Sequence, residues 1–400
     1  MNLNQRQLFL QHVAQTSDNP LMGVDVNIAS AFGSTLIDVN GKEFVDLISG
    51  ISVSNVGHCH PKVVKAINEQ CQKFMHLMVY GEFNQSPQVK YATTLLPLLP
   101  KSLNSIYYTT SGSESIEGAM KLAKRVTGKS EIISFKNSYH GSTQGALSIM
   151  GDEYFKNAYR PLLPNTKQLT YNTSDELNLI SSNTAAVVVE LVQAESGITI
   201  ADFQFINALR IKCNEIGALL IVDEIQTGFG RTGNLFAFEK YKIVPDVLCL
   251  AKGMGGGLPI GAFIADKKLM DGFSTQPVLG HINTFGGNAV CIAAALATLN
   301  IILEEKLHQR AIEIEKIIVN ELAEVENVKL KVTGAFAAIE FSNQTINFEV
   351  IKQCLLNGII TDWFLFNANA MRICPPLTID FNLLKTTLAK IKNIINQINN

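Results

Sequence analysis

Leu219-Leu220-Ile221-Val222-Asp223-Glu224-Ile225-Gln226 and Cys249-Leu250-Ala251-Lys252-Gly253 are the two stretches from which the rest of the chain is read. Each is a short apolar run that breaks off at a charged residue, as when a buried parallel strand delivers a functional group at its carboxyl end. Lys252 follows Asp223 by 29 positions, so a carboxylate and an amine are aimed at one crevice. Charges at the ends of dry strands are costly unless partnered. The crevice should therefore hold a group that wants a carboxylate on one side and an amine on the other. A plain ion pair between the two residues is the alternative that this spacing leaves open.

Working outward, Ala185 to Glu190 reads as a buried strand followed by two carboxylates, Glu190 and Glu195. A helix from Phe203 to Glu215 then leads into the Asp223 strand, which makes a β-α-β unit. Ile106 to Thr110 is a further strand, and Ser111-Gly112-Ser113 opens a helix through Ala119, Leu122 and Val126. Such a turn leaves backbone N–H groups and the positive helix end facing outward, which makes an anion site, or simply a capped helix. Taken with Asp223 and Lys252, the set suits pyridoxal phosphate. Its aldehyde forms a Schiff base with a lysine, its ring nitrogen is kept protonated by an aspartate, and its phosphate needs an anion seat.

The longer strings Asp223-Glu224-Ile225-Gln226-Thr227-Gly228-Phe229-Gly230-Arg231-Thr232-Gly233 and Lys252-Gly253-Met254-Gly255-Gly256-Gly257 closely resemble the class III branch of the pyridoxal-phosphate aminotransferases of fold type I, the ornithine and ω-amino acid branch. The resemblance implies an α/β fold. A large domain (46–290) would carry a mostly parallel central sheet flanked by helices, and a smaller α+β domain would come from segments 1–45 and 291–400. It also implies that Lys252 anchors the cofactor and moves the proton, that Asp223 holds the ring nitrogen, and that Gln226 bonds the ring hydroxyl oxygen. Tyr139 would stack on the ring, and Ser111, Gly112 and Ser113 would seat the phosphate. The string His281 to Asn288 resembles one through which the family's threonine, here Thr284, reaches the phosphate of the neighbouring subunit in a homodimer.

Glu195 and Arg372 stand where the ornithine and γ-aminobutyrate branches carry a switchable pair. The arginine takes the α-carboxylate of the keto acid, and the glutamate masks it when the donor has no carboxylate there. Ile51 occupies a position that is aromatic in the ornithine branch and aliphatic in the acylornithine and γ-aminobutyrate branches. Ser142 stands where glutamate-using members often have arginine, and Arg160 or Lys136 are the candidates to replace that cation. The function expected is ping-pong transfer of the terminal amino group of an ornithine-like donor, N-acylated, to a keto acid such as 2-oxoglutarate. The alternatives are an ω-amino acid or amine–pyruvate transaminase, and a mutase or racemase of the same fold, which would need no keto acid.

Composition is consistent with these expectations. Of 400 residues, 47% are hydrophobic and only 17% charged, so part of the surface should be covered by a partner subunit. Thirty-three basic residues balance thirty-five acidic ones, which argues against nucleic acid or anionic membranes as partners. Seven scattered cysteines without a C-x-x-C pair read as reduced thiols of a cytoplasmic protein. Met1 to Pro20 lacks an apolar core, so no signal peptide is expected, and no apolar run reaches membrane-spanning length. That segment reads as a helix from Gln5 to Gln15 and a turn at Asp18-Asn19-Pro20. Ser34 to Asp46 reads as a hairpin around Asn40-Gly41. His58 and His60 resemble a metal pair, but no further ligands cluster near them and structural histidines are expected. Helical sequence from Ala289 to Val325, strands near Lys329 to Val332 and Ala335 to Phe341, a helix near Phe348 to Leu356 and a last one from Leu383 to Ile398 complete the tail.

Overall fold

The structure, a computed structural model, describes residues 5–14, 16 and 21–399. At its centre is a seven-stranded sheet in the order Ser105–Thr109, Gly261–Ala265, Val247–Leu250, Leu219–Asp223, Thr184–Glu190, Glu131–Phe135, Thr166–Leu169. Gly261–Ala265 is antiparallel to both neighbours, and the other pairings are parallel. Every residue of Thr184–Glu190 is buried, as a strand covered on both faces requires. Alternate residues of the central strand leave opposite faces. Leu220 and Val222 join one apolar cluster with Phe205 and Leu209 of helix Phe203–Ile216, while Ile221 joins a second with Ile116, Ala119 and Leu122 of helix Gly112–Thr127. That second helix lies very close to the sheet. A Cβ at Gly118 would stand 2.3 Å from Phe263 Cε1.

The register sets the site. Asp223 lies opposite Glu190 on one side and Cys249 on the other, so the strand ends bearing Glu190, Asp223 and, two residues past Leu250, Lys252 are level. This is the crevice at the carboxyl edge of a parallel sheet where ligands bind in such folds.

A four-stranded antiparallel sheet follows in the order Lys329–Val332, Ala337–Glu340, Asn367–Ile373, Trp363–Phe364. Helices Leu307–Leu322 and Gln344–Leu356 pack on it, and Phe381–Asn399 packs against those two helices. Met371 and Ile373 of its longest strand enter the main core. Ala370 and Cys374, on the other face with Arg372, meet Val192 and Ala194 beyond the end of strand Thr184–Glu190. That alternation turns the Arg372 side chain towards Glu195.

The expected hairpin is Thr35–Asp38 with Glu43–Asp46, and Glu43–Asp46 also pairs in parallel with Ile359–Ile360, which ties the N-terminal strands to the tail. A strand that was not anticipated, Ile28–Phe32, extends the hairpin. The first helix runs Gln5–His12; Gln15 and the Asp18-Asn19-Pro20 turn lie outside the described residues. The helical sequence from Ala289 to Val325 forms two helices, Ala289–Glu304 and Leu307–Leu322. Lys306 is left-handed (φ 51°) between them, and one such residue suffices to end a helix. No helix among the described residues is long and apolar enough to cross a membrane.

Candidate active site

A cavity of about 400 Å³ opens at the level strand ends. Lys252 Nζ donates to Gln226 Oε1 at 2.7 Å, which leaves the buried Gln226 Nε2 as a donor with no acceptor. Lys252 itself is left-handed (φ 45°), a strained backbone of the kind kept at functional sites. Burial pushes its amine below the ordinary lysine range, with the nearby Glu195, Asp223 and Glu190 opposing that shift and Arg372 adding to it. Asp223 Oδ2 lies 2.7 Å from His140 Nδ1 in a fully enclosed pair, and Asp223 Oδ1 accepts from the Ile225 amide at 3.0 Å. Glu190 accepts from the Tyr139 amide at 3.0 Å, and burial beside Asp223 holds its carboxyl well above the ordinary range. Glu190 is thereby biased towards its neutral form.

The opposite end of the cavity is the first turn of helix Gly112–Thr127. Ser111 caps it by accepting from the Glu114 amide at 3.2 Å, so the amides of Gly112 and Ser113 are left for an anion. Gly141 (φ 130°) closes over this turn, and a Cβ there would stand 2.1 Å from Ser113 Oγ. The cavity thus has a free amide pair at one end and an aspartate at the other. An amine and an unpartnered amide donor lie between them, and the Tyr139 ring is on its wall. Those groups fit pyridoxal phosphate: Gly112 and Ser113 would take its phosphate, Asp223 its ring nitrogen, Gln226 its hydroxyl oxygen and Lys252 its aldehyde.

A second chamber of about 410 Å³ shares Lys252 and Tyr139 with the first and is walled by Ile51, Glu195, Asp362, Trp363, Leu365 and Arg372. Arg372 and Glu195 form a buried bidentate pair, Nη1 to Oε1 at 3.0 Å and Nη2 to Oε2 at 2.9 Å. Glu195 Oε2 also accepts from the Leu365 amide at 3.0 Å. Burial alone would raise the Glu195 carboxyl, but Arg372 and that amide hold it below the ordinary range. The guanidinium, which burial would discharge, is kept charged by Glu195 and Asp362. Its plane lies over the Phe364 ring, 4.5 Å from the centroid.

Ile51 enters this chamber from an unusual backbone. Ser49, Gly50, Ile51 and Ser52 all have φ between 54° and 64°, one turn of left-handed helix. Each non-glycine residue there costs roughly 1–2 kcal/mol. The turn is offset by Asp46, whose Oδ1 accepts from the Ile48 and Ser49 amides at 2.8 and 2.9 Å, and by Ser49 Oγ donating to the Cys374 carbonyl at 2.6 Å.

Other expected residues lie elsewhere. Ser142 is exposed, with its Oγ 3.1 Å from Tyr139 Oη. Neither candidate for the missing cation reaches the chambers: Arg160 Nη2 is held by both Glu153 oxygens at 2.8 and 2.6 Å, and Lys136 Nζ donates to Thr170 at 3.2 Å. Thr284 is exposed, 3.1 Å from Tyr80 Oη, and lines neither chamber of its own chain. His58 Nε2 sits 2.7 Å from Asp46 Oδ2, and His60 Nδ1 accepts from the Lys62 amide; no metal-binding cluster exists among the described residues. His140 and Asp362 were missed, and Glu190 was noted only as a strand-end carboxylate. A lone histidine after an aromatic residue has no spacing that marks it.

The class-III aminotransferase family matches residues 15–395. The chain belongs to the class-III aminotransferases. As such it is a pyridoxal-phosphate-dependent aminotransferase. It is 37% identical to an acetylornithine aminotransferase of Methanopyrus kandleri, over 92% of this chain and 94% of that one. It is likewise 37% identical to one of Halalkalibacterium halodurans, over 93% and 96%. Among solved structures, the ornithine aminotransferase of Toxoplasma gondii superposes with a TM-score of 0.90 at 26% identity, covering 99% of this chain and 96% of that one. A transaminase of a marine Virgibacillus reaches 0.91 at 26%, covering 98% of each.

Proposed function

We propose that this class-III aminotransferase moves the terminal amino group of an ornithine-like donor, N-acylated at its α-amine, to a keto acid, one half-reaction after the other. The observation that carries the proposal is the closed Glu195–Arg372 pair beside Lys252. A donor that presents a plain methylene amine needs no cation next to the reacting carbon, so Glu195 masks Arg372. A keto acid needs one, and Glu195 must then turn aside. Pyridoxal phosphate, when bound, supplies the electron sink for the electron pair left on the substrate carbon when its proton is removed. Lys252, with its amine depressed by burial, would carry the proton between the substrate carbon and the cofactor's aldehyde-derived carbon in each half-reaction. Asp223, oriented by His140, keeps the ring nitrogen charged, and Tyr139 fixes the ring plane. Support for the donor class comes from the relatives named acetylornithine aminotransferases and from aliphatic Ile51. Comparing turnover of N-acetylornithine, ornithine and simple ω-amines with a common acceptor tests it; N-acetylornithine slower than both would overturn the donor assignment.

A second reading, an amine–pyruvate transaminase, is favoured by one observation. Among the described residues lining the two chambers, Lys252 and Arg372 are the only side-chain cations. A two-carboxylate acceptor would need another.

The proposed assembly is a homodimer with shared sites. Ile282 and Phe285, which flank Thr284, are 50% and 58% exposed, and Met75 and Phe83 are 64% and 57% exposed. His76 packs against Phe285 with ring centroids 5.0 Å apart, and Asn288 donates to the Met75 carbonyl, so the patch is continuous. With Thr284 on the neighbour's phosphate, mixing inactive Lys252→Ala and damaged Thr284→Ala subunits should restore activity to roughly a quarter of the wild-type sites, because each mixed dimer holds one intact site. No gain on mixing would place Thr284 in its own subunit's economy. The cytoplasmic location is supported by seven free cysteines. The division into a large domain over 46–290 and a small one from 1–45 and 291–400 is supported by the sheets, since the seven-stranded one lies within 46–290 and the two four-stranded ones are built from 28–46 and 329–373.

A further inference from the structure

Arg372 has two hydrogen-bonding edges, and Glu195 occupies one of them. The Nη1/Nη2 edge faces Glu195, while Nε lies 3.0 Å from Asp362 Oδ1, off the line of an N–H bond, so that contact is Coulombic. Asp362 also hands its carbonyl to the Arg372 amide at 2.8 Å across the strand pair. Its side chain is 18% exposed, and that exposure is to the substrate chamber. Two carboxylates thus share one guanidinium beside Lys252.

We propose that Asp362 is a positioning residue for the acceptor half-reaction: it holds Arg372 by the Nε edge when Glu195 turns away, so that the Nη1/Nη2 edge stays aimed at the acceptor carboxylate. This rests on the Glu195–Arg372 switch of the proposed function. Without Asp362, opening the switch would leave a buried guanidinium with no counter-ion until the keto acid arrived, and a buried unpaired charge is strongly disfavoured. With Asp362 in place the guanidinium stays paired in both states. Its relation to Glu195 also eases opening, because the two carboxylates repel across the guanidinium they share. The donor half-reaction, in which the pair stays closed, should not depend on Asp362.

The titration of Asp362 gives the proposal a signature. The charged groups facing it are Arg372 and Glu195 across the chamber and Asp46 on strand Glu43–Asp46, itself beside His58. Burial pushes the Asp362 carboxyl up to about 6, with Arg372 opposing that rise and Glu195 and Asp46 adding to it. The carboxylate is therefore present above that pH and lost below it. Acceptor use should fall as pH drops through the region of 6.

The test is single-turnover measurement of both half-reactions from pH 5 to 8 for wild type, Asp362→Asn, Asp362→Glu and Arg372→Ala, each loaded with cofactor. Asp362→Asn should raise the keto-acid concentration for half-maximal rate about tenfold, with the maximal rate within about twofold and the donor half unchanged. Its acceptor half should also lack the step near pH 6. A step near pH 6 that persists in Asp362→Asn belongs to another group and overturns the assignment to Asp362. Asp362→Glu, which keeps the charge, should recover most of the acceptor affinity. Equal loss in both halves, or no loss, overturns the positioning role. Arg372→Ala separates the two layers. If that variant leaves the acceptor half intact, the switch reading itself fails and Asp362 with it. If it cripples the acceptor half while Asp362→Asn does nothing, only the Asp362 proposal falls.

Discussion

Replacing Lys252 with alanine is expected to lower transaminase turnover by at least about 10⁴-fold, the largest loss any single substitution in this chain should cause. Removing a general base alone costs about 10²–10⁴-fold, and on the proposed function the same residue would also anchor the cofactor covalently. The cavity supports both roles. Lys252 stands two residues beyond a fully buried strand, within 2.7 Å of Gln226, and burial depresses its amine. A more readily deprotonated amine is the better nucleophile and base near neutral pH. Steady-state assay of Lys252→Ala checks the loss. Borohydride reduction of the wild-type enzyme followed by peptide mapping should find the cofactor on Lys252, and the same treatment of the variant should find none. Label on Lys268, which lies in the surface helix Lys267–Met270, would end this assignment.

What the sequence reveals of this site follows from how each residue is delivered. Asp223 and Lys252 are legible because each interrupts a dry apolar run, and the parallel register then brings their strand ends level without further information. Gly112 and Ser113 are legible because a strand, a small-residue turn and a helix follow one another. His140 is not, because its pairing with Asp223 depends on a loop after Glu131–Phe135 that folds back over the neighbouring strand end, and nothing local marks it. Asp362 is hidden for a related reason. It sits in a two-residue link between Ile359–Ile360 and Trp363–Phe364, and its partner is fixed by a ladder, Ala338 opposite Arg372, that forms across the tail sheet. The left-handed turn at Ser49–Ser52 runs against local preference altogether, since a β-branched residue such as Ile51 disfavours positive φ. Contacts made by Asp46 and by the distant Cys374 help to hold it, beside the turn's own backbone hydrogen bonds.

Arg372→Ala should slow the acceptor half-reaction by about two to three orders of magnitude and the donor half-reaction far less. The α-carboxylate of any keto acid is desolvated in the chamber, and the bidentate Nη1/Nη2 edge is the partner offered to it. On the proposed switch that edge stays paired with Glu195 during the donor step, so its loss would remove nothing the donor touches. The two halves are separable: charge the enzyme with excess amine, remove the amine, add a keto acid and follow the return of the cofactor's visible absorbance. The choice of keto acid then reads out position 142. Ser142 is exposed and tied to Tyr139, Arg160 is held by Glu153 and Lys136 by Thr170, so among the described residues lining the chambers no second lysine or arginine beyond Arg372 and Lys252 meets a distal carboxylate. Asp362 adds a negative charge to the same chamber. Pyruvate should accordingly restore the absorbance faster than 2-oxoglutarate in an enzyme whose site is built from one chain alone. Faster return with 2-oxoglutarate would mean that a cation arrives from the neighbouring subunit, and it would favour the acylornithine reading over the amine–pyruvate one. Equal damage to both halves by Arg372→Ala would show that Glu195 does not mask Arg372 during the donor step, because a guanidinium needed equally by both substrates cannot be the element that distinguishes them.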